Sequence, residues 1–319
     1  MKNIIIIGSN SIIAQNFYSY QQYNNKIKLL QISRKNIPAK ERSNFIFYDF
    51  SRPYNDGLHQ NLVAQIGTII DLSQETVMCL FAWSGTPRSS EDPSLSGSIK
   101  IDNHNIIENF SFLTQDLDLS QIIFLSSAGG IYDNGNASFH NESSIPRPAT
   151  PYGFQKLKAE SMLGQLAKKL KVPLCSYRIS CAYGFNSLCP DQGVLNKWIF
   201  DSLLHGEINL YNCLDSELNF ISYNQISHMI GLGINLRLSG IFNLGTSSST
   251  SLRQIYNLVV NQIPDIRVNI LGKKRRILNV DCSRFNAASG CEFDPKIEDD
   301  FFLIHDAIRL TINQADSHE

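Results

Sequence analysis

Short apolar runs alternate with longer segments of helical periodicity in the first part of the chain. The runs of strand length are 3–7, 27–32, 44–48, 77–82, 121–125 and 173–178. The segments whose apolar positions follow helical spacing are 14–23, 58–70, 99–117 and 152–170. This alternation predicts a Rossmann-like α/β domain over residues 1–184, built on a doubly wound parallel sheet.

From residue 185 onward the pattern changes. The predicted strands become short, at 208–211, 218–222, 240–244 and 267–271. The predicted helices between and after them are 194–204, 225–236, 251–263 and 297–312. We therefore predict a smaller α/β lobe over residues 185–319, partly interleaved with the first domain, that binds the substrate.

The turn after the first strand has the pattern of a phosphate-binding turn. Small residues stand three positions apart at Gly8, Ser11 and Ala14, between a buried strand and a helix. Such a turn places a pyrophosphate at the helix N-terminus. Ser11 and Ala14 replace two glycines of the full fingerprint, so an ordinary strand–helix turn remains an alternative.

The end of the second strand bears on the choice of dinucleotide. The sequence there is Ser33-Arg34-Lys35, with two cations and no carboxylate. An acidic residue at this point binds the ribose hydroxyl of NAD, whereas an arginine accommodates the 2′-phosphate of NADP. The sequence favours NADP over NAD, unless both cations are simply solvated.

Candidate acid–base chemistry lies farther along the chain. Tyr152 and Lys156 are four positions apart at the start of a predicted helix and would share one face. A neighbouring lysine cation is expected to lower the pKa of the phenol toward the working range. A hydroxyl from Ser126 or Ser127, at the end of the fifth strand, would hold a substrate oxygen. This arrangement suits alcohol–ketone interconversion, although a tyrosine–lysine pair at this spacing also arises by chance.

Composition excludes several classes of partner. The chain has 319 residues, of which 43% are hydrophobic and 18% charged, with a net charge of −1. This balance indicates a folded protein with no nucleic-acid or membrane partner. The seven cysteines form no C-x-x-C pair and the histidines are scattered, so we expect neither a disulfide framework nor a metal site. The N-terminal apolar run is too short for a signal peptide, and a cytoplasmic location is predicted.

Several landmarks together resemble one family. Gly8, Asp49 and the pair Asp102-Asn103 stand at its expected positions. The longer motifs are FLSSAGGIY at 124–132, TPYGFQKLKAE at 150–160, YRISCAYG at 177–184, NFISYNQI at 219–226, IFNLG at 241–245 and VDCSRF at 280–285. In this order and spacing they resemble the extended short-chain dehydrogenases/reductases, in particular the NAD-dependent epimerase/dehydratase family that acts on nucleotide sugars.

The resemblance implies a role for each matching residue. Tyr152 would be the acid/base, Lys156 would bind the nicotinamide ribose, and Ser127 would hydrogen-bond the reacting oxygen. Gly8, Ser11 and Ala14 would line the pyrophosphate, Ser33 and Arg34 would lie at the adenosine ribose, and Asp49 would approach the adenine.

Some positions depart from the family pattern. Ala128 occupies the usual serine or threonine position, so either the loop is one residue longer here or the neighbouring Ser127 takes over. Cys181 replaces an asparagine near the substrate phosphates, and Asn219 replaces a common arginine. We assign substrate binding to Ser126, Cys181 and Arg276, the last residue of a basic cluster.

Three activities share this set of residues. A 4,6-dehydratase would also need carboxylates after Ser127, where the chain has Ala128-Gly129-Gly130. An NAD(P)-dependent nucleotide-sugar epimerase is favoured over an NADPH-dependent ketoreductase, and a non-catalytic NADP-binding protein is a further alternative. The predicted helices 99–117 and 152–170 would pair across a homodimer, as the resemblance implies.

Overall fold

The computed structural model describes residues 1–35, 43–132, 139–185 and 190–316. Its first elements, in chain order, are β1 (Lys2–Ile7), α1 (Ile12–Gln21), β2 (Ile27–Ser33), β3 (Phe45–Phe47), α2 (Asp56–Ile69), β4 (Glu75–Leu80), α3 (Pro87–Glu91), α4 (Ser96–Asp116), β5 (Gln121–Ser127), α5 (Ala128–Ile131), α6 (Pro151–Leu170) and β6 (Leu174–Ile179). The remaining elements are β7 (Cys181–Tyr183), α7 (Val194–His205), β8 (Glu207–Asn212), β9 (Glu217–Leu218), β10 (Phe220–Ser222), α8 (Tyr223–Asn235), β11 (Gly240–Leu244), β12 (Thr250–Ser251), α9 (Leu252–Gln262), β13 (Arg267–Lys274), β14 (Ile277–Leu278), α10 (Ser283–Ser289) and α11 (Ile297–Asp316).

A seven-stranded sheet organises the first part of the chain. Its strand order is β11-β6-β5-β4-β1-β2-β3, and β1 pairs in parallel with both β2 and β4. The chain thus reverses its winding direction at β1 and β4, where ligands of such sheets bind beyond the carboxyl ends of the strands. The predicted doubly wound parallel sheet is confirmed.

The central strands are buried on both faces, which explains their continuous apolar sequence. Ile4 to Ile7 of β1 have no exposed surface, and neither do Ile122 and Phe124 of β5. Helices cover the sheet with apolar side chains such as Phe110 of α4 and Leu163 of α6. A parallel sheet requires this cover on both faces, because its crossover helices pack there.

The chain divides into two compact units. The first comprises Met1–Asp133, Ile145–Arg178 and Ser227–Phe242, and the second Asn134–Ser144, Ile179–Ile226 and Asn243–Glu319. Within the second unit, β8 pairs in parallel with β13, β7 pairs with β10, and β9 lies between β12 and β14. Helices α7, α9 and α11 contact one another there.

Several elements differ from the sequence-based prediction. The predicted strand 218–222 is divided into two short strands, β9 and β10. Asn219 lies between them, and its side chain hydrogen-bonds the backbone of Thr246. The segment between β4 and α4, for which the sequence predicted no helix or strand, contains α3, which Thr86 caps and Pro87 begins. The short helices α5 and α10 and the two-residue strands β12 and β14 were not predicted, because they carry too few residues to show a periodicity.

The described residues also bear on membranes, metals and cysteines. Within these ranges, every helix is too short or too polar to cross a membrane. No group of three or more His, Cys, Asp or Glu side chains in the described ranges is arranged to hold a metal ion. Six of the seven cysteines are free thiols, and Cys189 lies outside the described residues.

Candidate active site

The turn after β1 requires glycine at its first position. Gly8 has a φ of 82°, and an added Cβ would lie 2.3 Å from the backbone nitrogen of Ala82. Ser11 follows as the N-cap of α1, where its hydroxyl oxygen accepts the Ala14 amide at 3.3 Å. The turn thus lets the backbone approach the end of β4 closely and starts α1 at the edge of the sheet.

A pocket of about 210 Å³ opens beside this turn, beyond the carboxyl ends of β1, β2 and β4. Its lining includes Gly8, Ser11, Ser33, Arg34, Asp49 and Trp83. Five of the seven predicted cofactor residues therefore line one pocket. The buried oxygens Ser9 Oγ and Asn10 Oδ1 in the turn have no hydrogen-bond partner within the described residues. Unpaired polar atoms at this turn fit the phosphates of a dinucleotide.

Ala14 does not line this pocket. Its side chain has no exposed surface, and its amide is taken up by the Ser11 cap. The Ala14 side chain therefore does not reach this pocket, and its place at the pyrophosphate stays a prediction. A small residue is needed there because the first turn of α1 packs against the sheet.

The part of the pocket beside the end of β2, where the sequence predicts the adenosine, is lined by a chain of polar contacts. Arg34 Nη1 donates to Ser51 Oγ at 3.1 Å, and Ser51 in turn donates its amide and hydroxyl to Asp49 Oδ1 at 3.0 and 2.6 Å. Arg34 also lies 3.9 Å from Asp102, which accepts the Ser84 hydroxyl at 2.9 Å. Ser51, Asp102 and Ser84 belong to different segments of the chain. Periodicity in the sequence therefore could not predict that they lie close together.

The proposed catalytic hydroxyls meet at the end of β5. Ser127 caps α5 by accepting the Gly130 amide at 3.1 Å, and it hydrogen-bonds the Tyr152 hydroxyl. Ser126 is buried, and its hydroxyl has no hydrogen-bond partner within the described residues. Of the two candidates, Ser127 is the one in contact with Tyr152.

Helix α6 presents Tyr152 and Lys156 as the spacing predicted. Thr150 caps the helix by accepting the Gly153 amide at 3.2 Å, and Pro151 occupies its first turn. Proline at this position costs no hydrogen bond, because the first amides of a helix have no partner within it. The helix therefore begins immediately before Tyr152.

Lys156 lies in a buried, aromatic environment. Its Nζ donates to the Leu125 carbonyl at 2.7 Å and lies 4.0 Å from the centre of the Trp83 ring. The distance from Nζ to the centre of the Tyr152 ring is 5.9 Å. Trp83 was not assigned to the site from the sequence. Its place directly after β4, at the ligand edge of the sheet, is the signal that could have identified it.

Burial dominates the pKa values of the pair. It raises the pKa of Tyr152, while the hydrogen bond with Ser127 acts in the opposite direction. Burial also lowers the pKa of Lys156 to about 7, against the opposing influence of the Glu160 carboxylate. Loss of solvation is the largest influence on the pKa of Tyr152, and the lowering by Lys156 that the sequence suggested stays a prediction.

Two glycines bring α5 and α6 close together. A Cβ on Gly130 would lie 3.0 Å from the Tyr152 ring, and a Cβ on Gly153 would lie 1.9 Å from the Gly130 carbonyl oxygen. The second distance is to backbone, which no side-chain rotation can relieve. These glycines therefore hold the Tyr152 ring against the turn that carries Ser127.

Gly153→Ala is expected to destabilise the protein by about 1–3 kcal/mol or more, because the added methyl group overlaps backbone and forces α6 outward. The matched control is Gly164→Ala on the same helix, where an added Cβ meets no atom within 4 Å. That change should stabilise the protein by about 0.5–1 kcal/mol through helix propensity. Urea denaturation measures both, and equal effects would contradict the close approach.

Lys156 should make the free energy of unfolding rise between about pH 7 and about pH 10. In this range the unfolded chain holds a proton that the folded lysine has released, so the cost of burying the charge is removed as the pH rises. Lys156→Met should flatten the rise by up to about 1.4 kcal/mol per pH unit, measured by urea denaturation. Lys158→Met, at an exposed position of α6, should keep the wild-type slope. Equal slopes in the two variants would count against a weakly basic Lys156.

Behind the site, a buried ion pair joins α6 to β6. Arg178 donates from Nε and Nη2 to the two carboxylate oxygens of Glu160 at 3.0 and 2.7 Å, and from Nη1 to the Tyr132 hydroxyl at 3.0 Å. The side chains of Arg178 and Glu160 are only 3% and 5% exposed. Because Glu160 lies one turn beyond Lys156, this pair helps to fix the face of α6 that carries Tyr152 and Lys156.

The other predicted substrate residues belong to the second unit. Burial raises the pKa of Cys181, and the nearby Arg276 guanidinium acts against that shift. Asn219, which replaces a common arginine, is buried. It accepts the Thr246 amide at 2.9 Å and donates to the Thr246 carbonyl at 2.8 Å. Its side chain is therefore occupied in holding the chain together.

The sequence profile of the NAD dependent epimerase/dehydratase family matches residues 4–227. The chain belongs to this family. The resemblance inferred from the motifs is thereby confirmed.

Two UDP-sugar 4-epimerases of known structure share the fold over 97% of this chain. UDP-glucose 4-epimerase from Thermotoga maritima, solved with UDP-glucose, aligns over 97% of this chain and 99% of its own, with a TM-score of 0.77 and 17% identity. UDP-glucuronic acid 4-epimerase from Bacillus cereus, in complex with UDP-glucuronic acid and NAD, aligns over the same shares with a TM-score of 0.78 and 16% identity. At these identities the likeness shows the fold.

Sequence similarity extends to a curated archaeal relative. A putative UDP-glucose 4-epimerase of Methanocaldococcus jannaschii is 22% identical over 191 residues. The match covers 59% of this chain and 61% of that protein. The chain thus matches less than two thirds of the relative's length.

Proposed function

We propose that this protein is an NAD(P)-dependent nucleotide-sugar epimerase. The observation that carries the proposal is the contact between the Tyr152 and Ser127 hydroxyls, on a face of α6 that also carries Lys156, at the carboxyl edge of the sheet. A proton carrier and a hydroxyl donor are the groups that interconversion of an alcohol and a ketone requires. Membership of the family supports the same reaction class.

In the proposed mechanism Tyr152 moves the proton. It takes the proton of a sugar hydroxyl as that carbon is oxidised, and returns it when the ketone is reduced from the opposite face. Ser127 hydrogen-bonds the reacting oxygen in both directions. When bound, oxidised NAD(P) supplies the hydride acceptor and a positive charge in the site. Lys156 adds its own charge when protonated, which favours the phenolate that Tyr152 must form.

A ketoreductase is the second candidate. The cations at Arg34 and Lys35 favour a phosphorylated dinucleotide, which reductases consume as NADPH. A dehydratase receives less support, because Ala128, Gly129 and Gly130 follow Ser127 where carboxylates would be needed. The two remaining candidates differ in whether the cofactor is consumed.

The test incubates the purified protein with NAD or NADP and a panel of UDP-sugars, and follows the sugars by NMR and the dinucleotide by absorbance. An epimerase converts one sugar into its epimer with no net change in cofactor. Stoichiometric oxidation of NADPH with a keto sugar would instead support the reductase. Dinucleotide binding with no turnover of any sugar would support the further alternative, a non-catalytic NADP-binding protein.

We assign the nucleotide-sugar contacts to the second lobe, predicted as residues 185–319. Arg276 supplies a fixed positive charge beside Cys181, and diphosphates are commonly bound by arginine. The Arg276→Ala variant, assayed with the UDP-sugar panel, tests this assignment. It should bind the substrate more weakly and the dinucleotide as tightly as the wild type does. Weakened dinucleotide binding would contradict the assignment.

A homodimer is proposed through α4 and α6. These helices contact each other and expose large apolar side chains, among them Ile101 and Phe154, which are 62% and 59% exposed. A second copy of this face would bury them. Mass photometry should find twice the monomer mass, reduced to the monomer by Ile101→Lys with Phe154→Lys. A monomeric wild type would contradict the assignment.

A further inference from the structure

The indole of Trp83 lies directly over the ammonium group of Lys156. The centre of its ring is 4.0 Å from Lys156 Nζ, and the centre of the Phe124 ring is 4.9 Å from the same atom. An ammonium group has three N–H donors, and within the described residues the Leu125 carbonyl is the only hydrogen-bond acceptor of Nζ. The two rings therefore stand where water would otherwise surround the charge, and each attracts it through its π face.

The backbone on both sides of Trp83 is held in place. Before it, the Ala82 amide donates to the Ile7 carbonyl at 2.8 Å. After it, the Ser84 amide donates to Asn103 Oδ1 at 2.8 Å, and Asn103 Nδ2 donates to the Ser84 carbonyl at 3.1 Å. The indole is thus carried by a segment whose position is fixed by β1 and α4.

The same asparagine joins this segment to α6. Asn103 Nδ2 also donates to Gln155 Oε1 at 2.6 Å, and Gln155 immediately precedes Lys156. Asn103 is buried, and both acceptors of its amide group are supplied by these two neighbours. Hydrogen bonds on both sides therefore hold the indole and the ammonium group at their separation.

The charged and titratable groups around Lys156 come from α6 and from the elements packed against it. On α6, Tyr152 lies one turn before Lys156 and Glu160 one turn after it, and the Glu160 carboxylate is paired with Arg178 of β6. A cavity of about 120 Å³ between α4 and α6 also borders the indole. The charged or titratable residues that line it are Lys100, His104 and Lys158.

We infer that Trp83 is a positioning residue for the proposed reaction: its indole keeps water from Lys156 and holds the ammonium group on the Leu125 carbonyl, one turn from Tyr152. The inference rests on the proposed function for the role of Lys156 and adds the group that controls this lysine. Because Trp83 acts through Lys156, its removal should change the rate and pH dependence of the reaction more than substrate binding.

The first measurement requires no turnover. Lysine labelled with carbon-13 at Cε is incorporated into the full-length protein, and the NMR signal of Lys156 is assigned by its loss in Lys156→Met. The wild-type signal should titrate near pH 7, because burial lowers the pKa of Lys156 to about 7. Trp83→Ala admits water and should raise the midpoint by about one pH unit or more, toward the ordinary lysine value of about 10.4. Trp83→Leu keeps an apolar cover and should not raise it.

The second measurement uses the sugar that the panel identifies. Trp83→Ala should lower kcat by about 10- to 100-fold and change KM by less than about threefold. The alkaline limb of the kcat profile should move to higher pH together with the NMR midpoint. Trp83→Phe keeps an aromatic ring over Nζ and should recover most of the rate. Trp198→Phe, at the other tryptophan of the chain, should leave the profile at its wild-type position.

The outcomes separate the inference from the proposed function. An unchanged Lys156 midpoint in a folded Trp83→Ala protein would overturn the inference, whether or not any sugar is turned over. If thermal denaturation shows that Trp83→Ala is unfolded, Trp83→Leu decides, and a raised midpoint in that variant would overturn the inference. If the wild type turns over no sugar, the proposed function fails, while the NMR titration still decides whether the indole controls the lysine.

Discussion

Tyr152→Phe is expected to lower the turnover of the preferred nucleotide sugar by about 10²–10⁴-fold. Phenylalanine keeps the ring that packs against Gly130 and removes only the hydroxyl that bonds Ser127. The proton carrier would be lost while the fold and the pocket beside β1 stay intact. Steady-state kinetics on the sugar found in the panel measure the effect, and calorimetry should show unchanged dinucleotide affinity.

The matched control is Tyr23→Phe, at a tyrosine that is 83% exposed after α1. This variant should have the wild-type rate. Turnover by Tyr152→Phe within a factor of about three of wild type would remove Tyr152 from its assigned role, because the variant retains everything except the transferable proton.

Glu160→Ala is expected to lower the free energy of unfolding by about 3–5 kcal/mol. The change leaves the Arg178 guanidinium buried with only Tyr132 as its polar partner among the contacts described above. A buried charge without its counter-ion costs far more than a surface pair is worth. Urea denaturation measures the loss, and Glu91→Ala, at an exposed position of α3, should change stability by less than about 0.5 kcal/mol.

A double replacement separates the contribution of the ion pair to stability from the cost of leaving one buried charge unpaired. Glu160→Met with Arg178→Met removes both charges and keeps apolar volume, so it should be less destabilising than Glu160→Ala alone. Activity gives a further readout, because Glu160 opposes the fall in the pKa of Lys156. A loss below about 1 kcal/mol for Glu160→Ala would mean that Arg178 regains solvent or another partner.

The local features of the fold could be predicted because they depend on near neighbours in the chain. Apolar runs predicted β1 to β6 to within about two residues, since a strand buried on both faces must be apolar throughout. Helical spacing predicted that α6 begins at Tyr152, and the structure begins it one residue earlier, at Pro151. The spacing of Tyr152 and Lys156 then placed them one helical turn apart.

Contacts between distant segments could not be predicted in this way. The residues alone left Ser126 and Ser127 as alternatives for the hydroxyl that holds the substrate oxygen, and the resemblance favoured Ser127. In the structure Ser127 is the one that contacts Tyr152. It also suggested a fully charged Lys156, whereas burial under Trp83 lowers its pKa to about 7.

Periodicity predicted the order of the longer strands and helices, the spacing of small residues predicted a phosphate-binding turn after β1, and the resemblance of several motifs indicated the family. Tertiary structure decided which groups surround each reactive side chain: Trp83 over Lys156, Arg178 against Glu160, and Gly153 against the Gly130 carbonyl. The reason is physical. Helix and strand preferences are set within a few residues, but solvation and charge at a buried site depend on segments that only the folded chain brings together.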